Sequence, residues 1–156
     1  MSASLPDILI LGVGNLLLRD EGLGVHVIRA LASSKDLPAN VTLLDGGTLG
    51  PTLLDAILNC DRLILIDVAR AGLPIGTLSR KTGAEIVGVM KAKQSAHEWG
   101  ISEVLLQANL LGQLPVTIAL LVEPQDISTL DTELSPALAA RLPAITAAVM
   151  DEIAGL

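Results

Sequence analysis

Asp7-Ile8-Leu9-Ile10-Leu11-Gly12 decides the fold. A short apolar run that ends at a glycine fits a strand buried on both faces of a parallel sheet. Beyond it, helix is predicted from about Glu21: Val25, Ile28, Leu31 and Ala32 recur at helical spacing, Asp20 is available as an N-cap, and Ser33-Ser34-Lys35-Asp36 with Pro38 ends the segment. The same alternation repeats down the chain. Val41 to Leu44 reads as a second strand, Pro51 to Leu58 as a short helix, and Leu63 to Ile66 as a third strand running into Asp67. Gly76 to Arg80 suggests another strand, and a poorly patterned stretch extends to His97. Ser102 to Leu111 reads as a helix and Val116 to Val122 as the last strand. Ser135 to Leu156 is helical in composition, with Pro143 expected to kink or split it. Strands alternating with helices imply an α/β protein with helices on both faces of the sheet.

Composition narrows the function classes. Hydrophobic residues make up 51% of the 156 and charged residues 17%, yet there is no Phe and no Tyr, so the core must be built from Leu, Ile, Val and Ala. One domain spanning 1–156 is expected, without repeat or linker. No apolar stretch approaches the roughly 20 residues that cross a bilayer, so membrane insertion is not expected. Met1 to Asp7 lacks the basic and hydrophobic regions of a secretion signal, which predicts a cytoplasmic protein. A net charge of −7 argues against nucleic acid as a partner. Cys60 is the only cysteine, so a disulfide or a cysteine zinc site within the chain is excluded, and metal chemistry must use oxygen and nitrogen ligands.

In open sheets of this kind the site forms beyond the carboxyl ends of the strands, where loops converge on a rigid frame. Three segments stand there: Gly12-Val13-Gly14-Asn15 through Glu21, Asp45-Gly46-Gly47-Thr48, and Asp67. His97, read as lying in a loop before a helix, has access to the same crevice. A dinucleotide fingerprint is disfavoured because Leu17 stands at the third glycine position and the acidic pair Asp20-Glu21 would repel phosphate. A Walker loop lacks its Gly-Lys-Ser/Thr ending, and His97-Glu98-Trp99-Gly100-Ile101 lacks the second histidine of a zinc protease helix. Glu21, Asp67 and His97 supply two carboxylates and an imidazole, a set that suits a divalent transition metal with positions left for substrate or water. Each also has a plainer reading. Glu21 would favour the positive end of the first helix, Asp67 would cap a turn, and His97 would be a satisfied loop histidine. His26 reads as structural or exposed, Cys60 as a small buried hydrophobe, and Trp99 as packing beside His97.

Gly12-Val13-Gly14-Asn15-Leu16-Leu17-Leu18-Arg19-Asp20-Glu21-Gly22-Leu23-Gly24-Val25 resembles the N-terminal signature of the hydrogenase maturation proteases. Asp45-Gly46-Gly47-Thr48 resembles that family's second motif, Asp67 its strand-end aspartate, Ser95-Ala96-His97 its histidine segment, and Glu123-Pro124 the residues after its last strand. Glu98 and Trp99 depart from the pattern, in which an amide and an aliphatic residue follow the histidine. The resemblance implies a three-layer α/β/α sandwich around a mostly parallel, twisted sheet of about five strands.

It also implies an endopeptidase that removes the C-terminal extension of a nickel-iron hydrogenase large-subunit precursor after nickel insertion. Glu21, Asp67 and His97 would serve as catalytic and metal-contacting residues, with the nickel supplied by the precursor. Asn15, Asp45, Gly46 and Gly47 would contact substrate, the two glycines in a tight turn. Two other readings remain open: a noncatalytic chaperone that shields the nickel-loaded precursor's tail, and a nucleotide-binding α/β domain, for which NAD or ATP would raise the melting temperature.

Overall fold

The computed structural model describes residues 3–47, 53–86 and 96–156, with the backbone course alone for 96–100. The five strands are β1 (Ile8–Val13), β2 (Val41–Gly47), β3 (Arg62–Val68), β4 (Leu78–Thr82) and β5 (Val116–Val122). The helices are α1 (Leu23–Ala32), α2 (Leu54–Leu58), α3 (Ala96–Leu110), α4 (Pro136–Ala139) and α5 (Leu142–Ala154), with a 3-10 turn over Arg19–Gly22 before α1. The strands form one sheet in the order β2-β1-β3-β5-β4. All pairings are parallel except that of β4 with β5.

Two-residue alternation along the strands divides the core into two layers. Ile8, Ile10, Ile64, Ile66, Ile118 and Leu120 face α1 and α5, where Leu23, Val27, Leu31, Ile145 and Val149 cover them. Leu9, Leu11, Leu63, Leu65, Ala119 and Leu121 face α2 and α3, under Ile57, Val104, Leu105 and Ala108. The central strands are thus sealed on both sides, which is why they read as unbroken apolar runs. Edge strand β4 reads differently: in Leu78-Ser79-Arg80-Lys81-Thr82 all but Leu78 are polar, and its two charges discourage pairing with a further chain. Arg80 Nε and Nη2 hold the Glu152 carboxylate at 2.8–3.1 Å, tying that edge to α5.

Several expected boundaries move. β2 runs on through Asp45, Gly46 and Gly47, while Thr48 and Pro51 lie outside the described residues. Asp67 lies within β3 and not in a turn beyond it. α3 begins at Ala96, six residues before the expected start, so His97 is its second residue and not part of a loop. Ser135 to Leu156 splits into two helices at Ala140-Arg141, with Pro143 in the first turn of α5, where its missing N–H costs nothing. Among the described residues, no helix is long and apolar enough to cross a membrane.

Candidate active site

The site is built from the turn that links β1 to α1. Gly14, with φ 127°, reverses the chain where a side chain would collide with the Glu21 carbonyl. Only glycine meets both demands. Asn15 Oδ1 then accepts the Leu17 amide at 3.0 Å, and the Leu18 amide donates to the Asn15 carbonyl at 3.1 Å. The chain therefore enters the 3-10 turn in a set direction.

Asp20 in that turn is fully buried and does not cap the helix. The N-cap position of α1 is Gly22, with no side-chain cap bond. The Asp20 carboxylate instead accepts four bonds from the far side of the sheet's end. The Ser135 amide donates to Oδ1 at 2.7 Å. The Gln125 and Asp126 amides at 2.9 Å and the Ser135 hydroxyl at 2.8 Å donate to Oδ2. A buried carboxylate persists when its lone pairs are met in this way. The turn is thereby clamped to the segment after β5, and the next residue, Glu21, is held with it.

Glu21 is itself buried, 7% exposed, just before the N-terminal end of α1. Asp67, 5% exposed, is the last residue but one of β3, and its Oδ1 accepts the Val68 amide at 2.8 Å. Glu21 through its backbone and Asp67 through its side chain both border Gly14. A Cβ placed there would touch the Glu21 backbone on one side and stand 3.8 Å from Asp67 Oδ1 on the other. By strand alternation Asp67 follows Leu63 and Leu65 onto the face covered by α3. α3 returns the chain to the start of β5, and its 15 residues span about 22 Å. Its first turn, which carries His97, therefore stands toward the same rim as Asp67. The His97 side chain lies outside the described residues, as does that of Trp99. Among the described residues no group of three or more His, Cys, Asp or Glu is disposed to hold a metal ion.

A cleft of about 220 Å³ opens beside this turn, lined by Gly14, Asn15, Leu16, Val25, Asp45 and Gly47. Asp45 pairs with Gly12 and Gly47 with Val13, so Gly46 is an extra residue in β2 at that point. A Cβ on Gly46 would come within 2.7 Å of Leu11 Cδ1. Gly46 and Gly47 thus form a bulge in a continuing strand and not the tight turn expected of them. Bulges re-aim side chains beside sites, and this one leaves Asp45 and Gly47 lining the cleft.

Nucleotide binding fits this end of the sheet poorly. The residues just before the positive end of α1, where pyrophosphate would sit, are the buried acids Asp20 and Glu21, whose charge would repel phosphate. Asp20 and Glu123 are the residues that sequence reasoning underused. Glu123, also buried, accepts the Ala71 amide at 2.7 Å and so fixes the segment after β3. Only Glu123 has a local signal, an acid before Pro124 just past β5. His26 is structural, its Nε2 lying 3.0 Å from the Thr132 carbonyl. Cys60 is half-buried at the opposite end of the sheet, where burial pushes its thiol up to about 11.

Residues 25–152 match the family model described as hydrogenase maturation protease, HycI. The chain is 40% identical to the hydrogenase expression/formation protein HupD of Thiocapsa roseopersicina over 92% of its own length, and spans 66% of that relative. It is 36% identical to the hydrogenase 2 maturation protease of Escherichia coli (strain K12), covering 88% of this chain and 90% of the relative. Among solved structures, the hydrogenase maturating endopeptidase HybD from E. coli superposes with a TM-score of 0.87 at 32% identity, over 95% of this chain and 92% of that one. With a family model matching residues 25–152 and these relatives alike in sequence and fold, the chain belongs to the hydrogenase maturation protease family.

Proposed function

We propose that this chain is an endopeptidase that removes the C-terminal extension from the precursor of a nickel-iron hydrogenase large subunit once nickel is in place, and that Glu21, Asp67 and His97 recognise that nickel. The observation that carries this reading is that two buried acids from distant segments both border Gly14, Glu21 through its backbone carbonyl and Asp67 through Oδ1. Joining two acids at one rim of a sheet needs a divalent cation that both can ligate. A nickel ion partly held by the substrate meets that need, with the His97 imidazole as a third ligand of suitable type. Affinity then depends on nickel, because discrimination follows from contacts that only the loaded precursor makes.

Glu21 and Asp67, with His97, would hold the precursor's nickel against the rim, while Asn15, Asp45 and the Gly46-Gly47 bulge border the cleft that takes substrate backbone. A carboxylate of the pair would accept the proton of the attacking water, and the nickel, where it acts in the chemistry as well as in recognition, would supply Lewis acidity. The test is incubation with nickel-loaded and nickel-free precursor, followed by the mass of the large subunit. A tail lost from the loaded form alone is expected. An intact tail in a stable complex would make the protein a chaperone and refute the protease reading.

A further inference from the structure

Among the described residues, Arg19 is the one non-glycine in the left-handed region, at φ 49°, a conformation that side chains adopt only when neighbours impose it. Here its amide donates to the Asp131 carbonyl at 2.9 Å, and the Asp20 amide donates to the Asp126 carbonyl at 3.0 Å. The turn is therefore held on both sides of Arg19, yet the guanidinium it carries is short of acceptors. Nε is buried with no hydrogen-bond partner among the described residues. The Asp126 carboxylate stands 4.0 Å from Nη1, and its oxygens already serve Ser128 and Thr129. A strained backbone that delivers an unsatisfied cation is characteristic of a ligand site.

That cation lines a cleft of about 460 Å³ with Arg70, Gln125 and Asp126. Arg70 follows β3 by two residues and Gln125 follows β5 by three, so this cleft sits over the β3-β5 end of the rim. The cleft of Asn15, Asp45 and Gly47 sits over the β2-β1 end, and Asp67 lies between them. Four adjacent strand ends cover about 14 Å, the length of about four extended residues.

We propose that the Arg19-Arg70 cleft is a second substrate subsite that takes a carboxylate of the precursor's extension, so that the extended tail crosses the strand ends with Asp67 beneath its middle. This rests on the endopeptidase reading. Paired guanidinium forks match a carboxylate, and Asp126 disfavours a doubly charged phosphate more than a singly charged carboxylate.

The test titrates a synthetic peptide of the precursor's C-terminal extension into the protein and into its Arg19→Gln and Arg70→Gln variants, with precursor cleavage measured in parallel. Arg70 is exposed, which keeps the test sound should Arg19→Gln disturb the turn. Peptide affinity is expected to fall about tenfold in each variant, with KM for the precursor rising by a like factor, kcat little changed, and the salt dependence of binding reduced. Amidating the peptide's α-carboxylate, or converting its acidic side chains to amides, should cost the same factor in whichever case that group is the one held. Unchanged affinity in both arginine variants, no loss from either peptide change, or displacement by inorganic phosphate at equal concentration would each overturn the proposal. A parent protein that binds the peptide in this way but leaves the loaded precursor uncut would refute the endopeptidase reading and leave the carboxylate subsite standing.

Discussion

Replacing Asp20 by alanine should be among the most damaging single changes outside the apolar core. The substitution strips the acceptor from the Gln125, Asp126 and Ser135 amides and the Ser135 hydroxyl at once. Each stranded buried donor costs roughly 1–3 kcal/mol, and water entering the space left behind recovers part of it. A net loss of about 4 kcal/mol follows, a large share of the 5–15 kcal/mol typical of whole domains. For a chain of this length that corresponds to a fall in Tm of roughly 8–16 °C. Asp20→Asn should fall by about half as much: an amide oxygen can keep the three donors at Oδ2, but the NH2 group must then face the Ser135 amide, donor against donor. Ser135→Ala should cost about 1 kcal/mol alone and almost nothing in the Asp20→Ala background, since the partner is already gone. Thermal melts of the four proteins decide it. An Asp20→Ala protein melting within 2 °C of the parent, on this scale, or strict additivity with Ser135→Ala, would refute the clamp.

Glu21→Gln, Asp67→Asn and His97→Ala are each expected to melt near the parent yet lose most or all precursor processing by mass spectrometry, whereas His26→Ala keeps it; full activity in the first three would remove the assigned site. Gly14→Ala must place a Cβ against the Glu21 carbonyl at a φ of 127°, so it should lower Tm and processing together, and normal values of both would contradict the described turn. Cys60 has its thiol pushed from the usual 9.0 to about 11, chiefly by burial. At pH 8 its alkylation by iodoacetamide should run about 100-fold slower in the folded than in the urea-unfolded protein. Because the folded form holds the proton more tightly, the associated stabilisation is complete below pH 9 and is lost as pH rises through about 11. Equal alkylation rates in the two states would show the thiol to be exposed.

How much of this was legible in the sequence depends on how local each cause is. Strand β5 was readable to the residue, since Val116–Val122 is an apolar run bounded by Pro115 and Pro124. The division of the C-terminal helix follows from Pro143 alone. β2 was cut short because Asp45-Gly46-Gly47 carries turn chemistry, and only the pairing with β1 shows that an extra residue lets the strand continue. The start of α3 does carry a capping-box pattern, Ser95 with Glu98 three residues on, but the apolar stripe that identifies the helix begins later, and a reading from the stripe alone starts it too late. Asp67 is legible as a site candidate because it interrupts an apolar run at its carboxyl end, and Glu21 because it lies in the loop that follows the first strand. Asp20 was misread as a cap for the opposite reason: its partners lie 105 to 115 residues away, beyond the reach of any local pattern.

That separation also orders events during synthesis. A ribosome adding about 5–20 residues per second delivers Ser135 roughly 6–23 seconds after Asp20. Until then the Asp20 carboxylate lacks the Ser135 amide and hydroxyl that complete its clamp, and the Gln125 and Asp126 amides themselves emerge only shortly before. A nascent chain therefore passes most of its elongation without a formed cutting edge, and the last elements to emerge act as the safety catch.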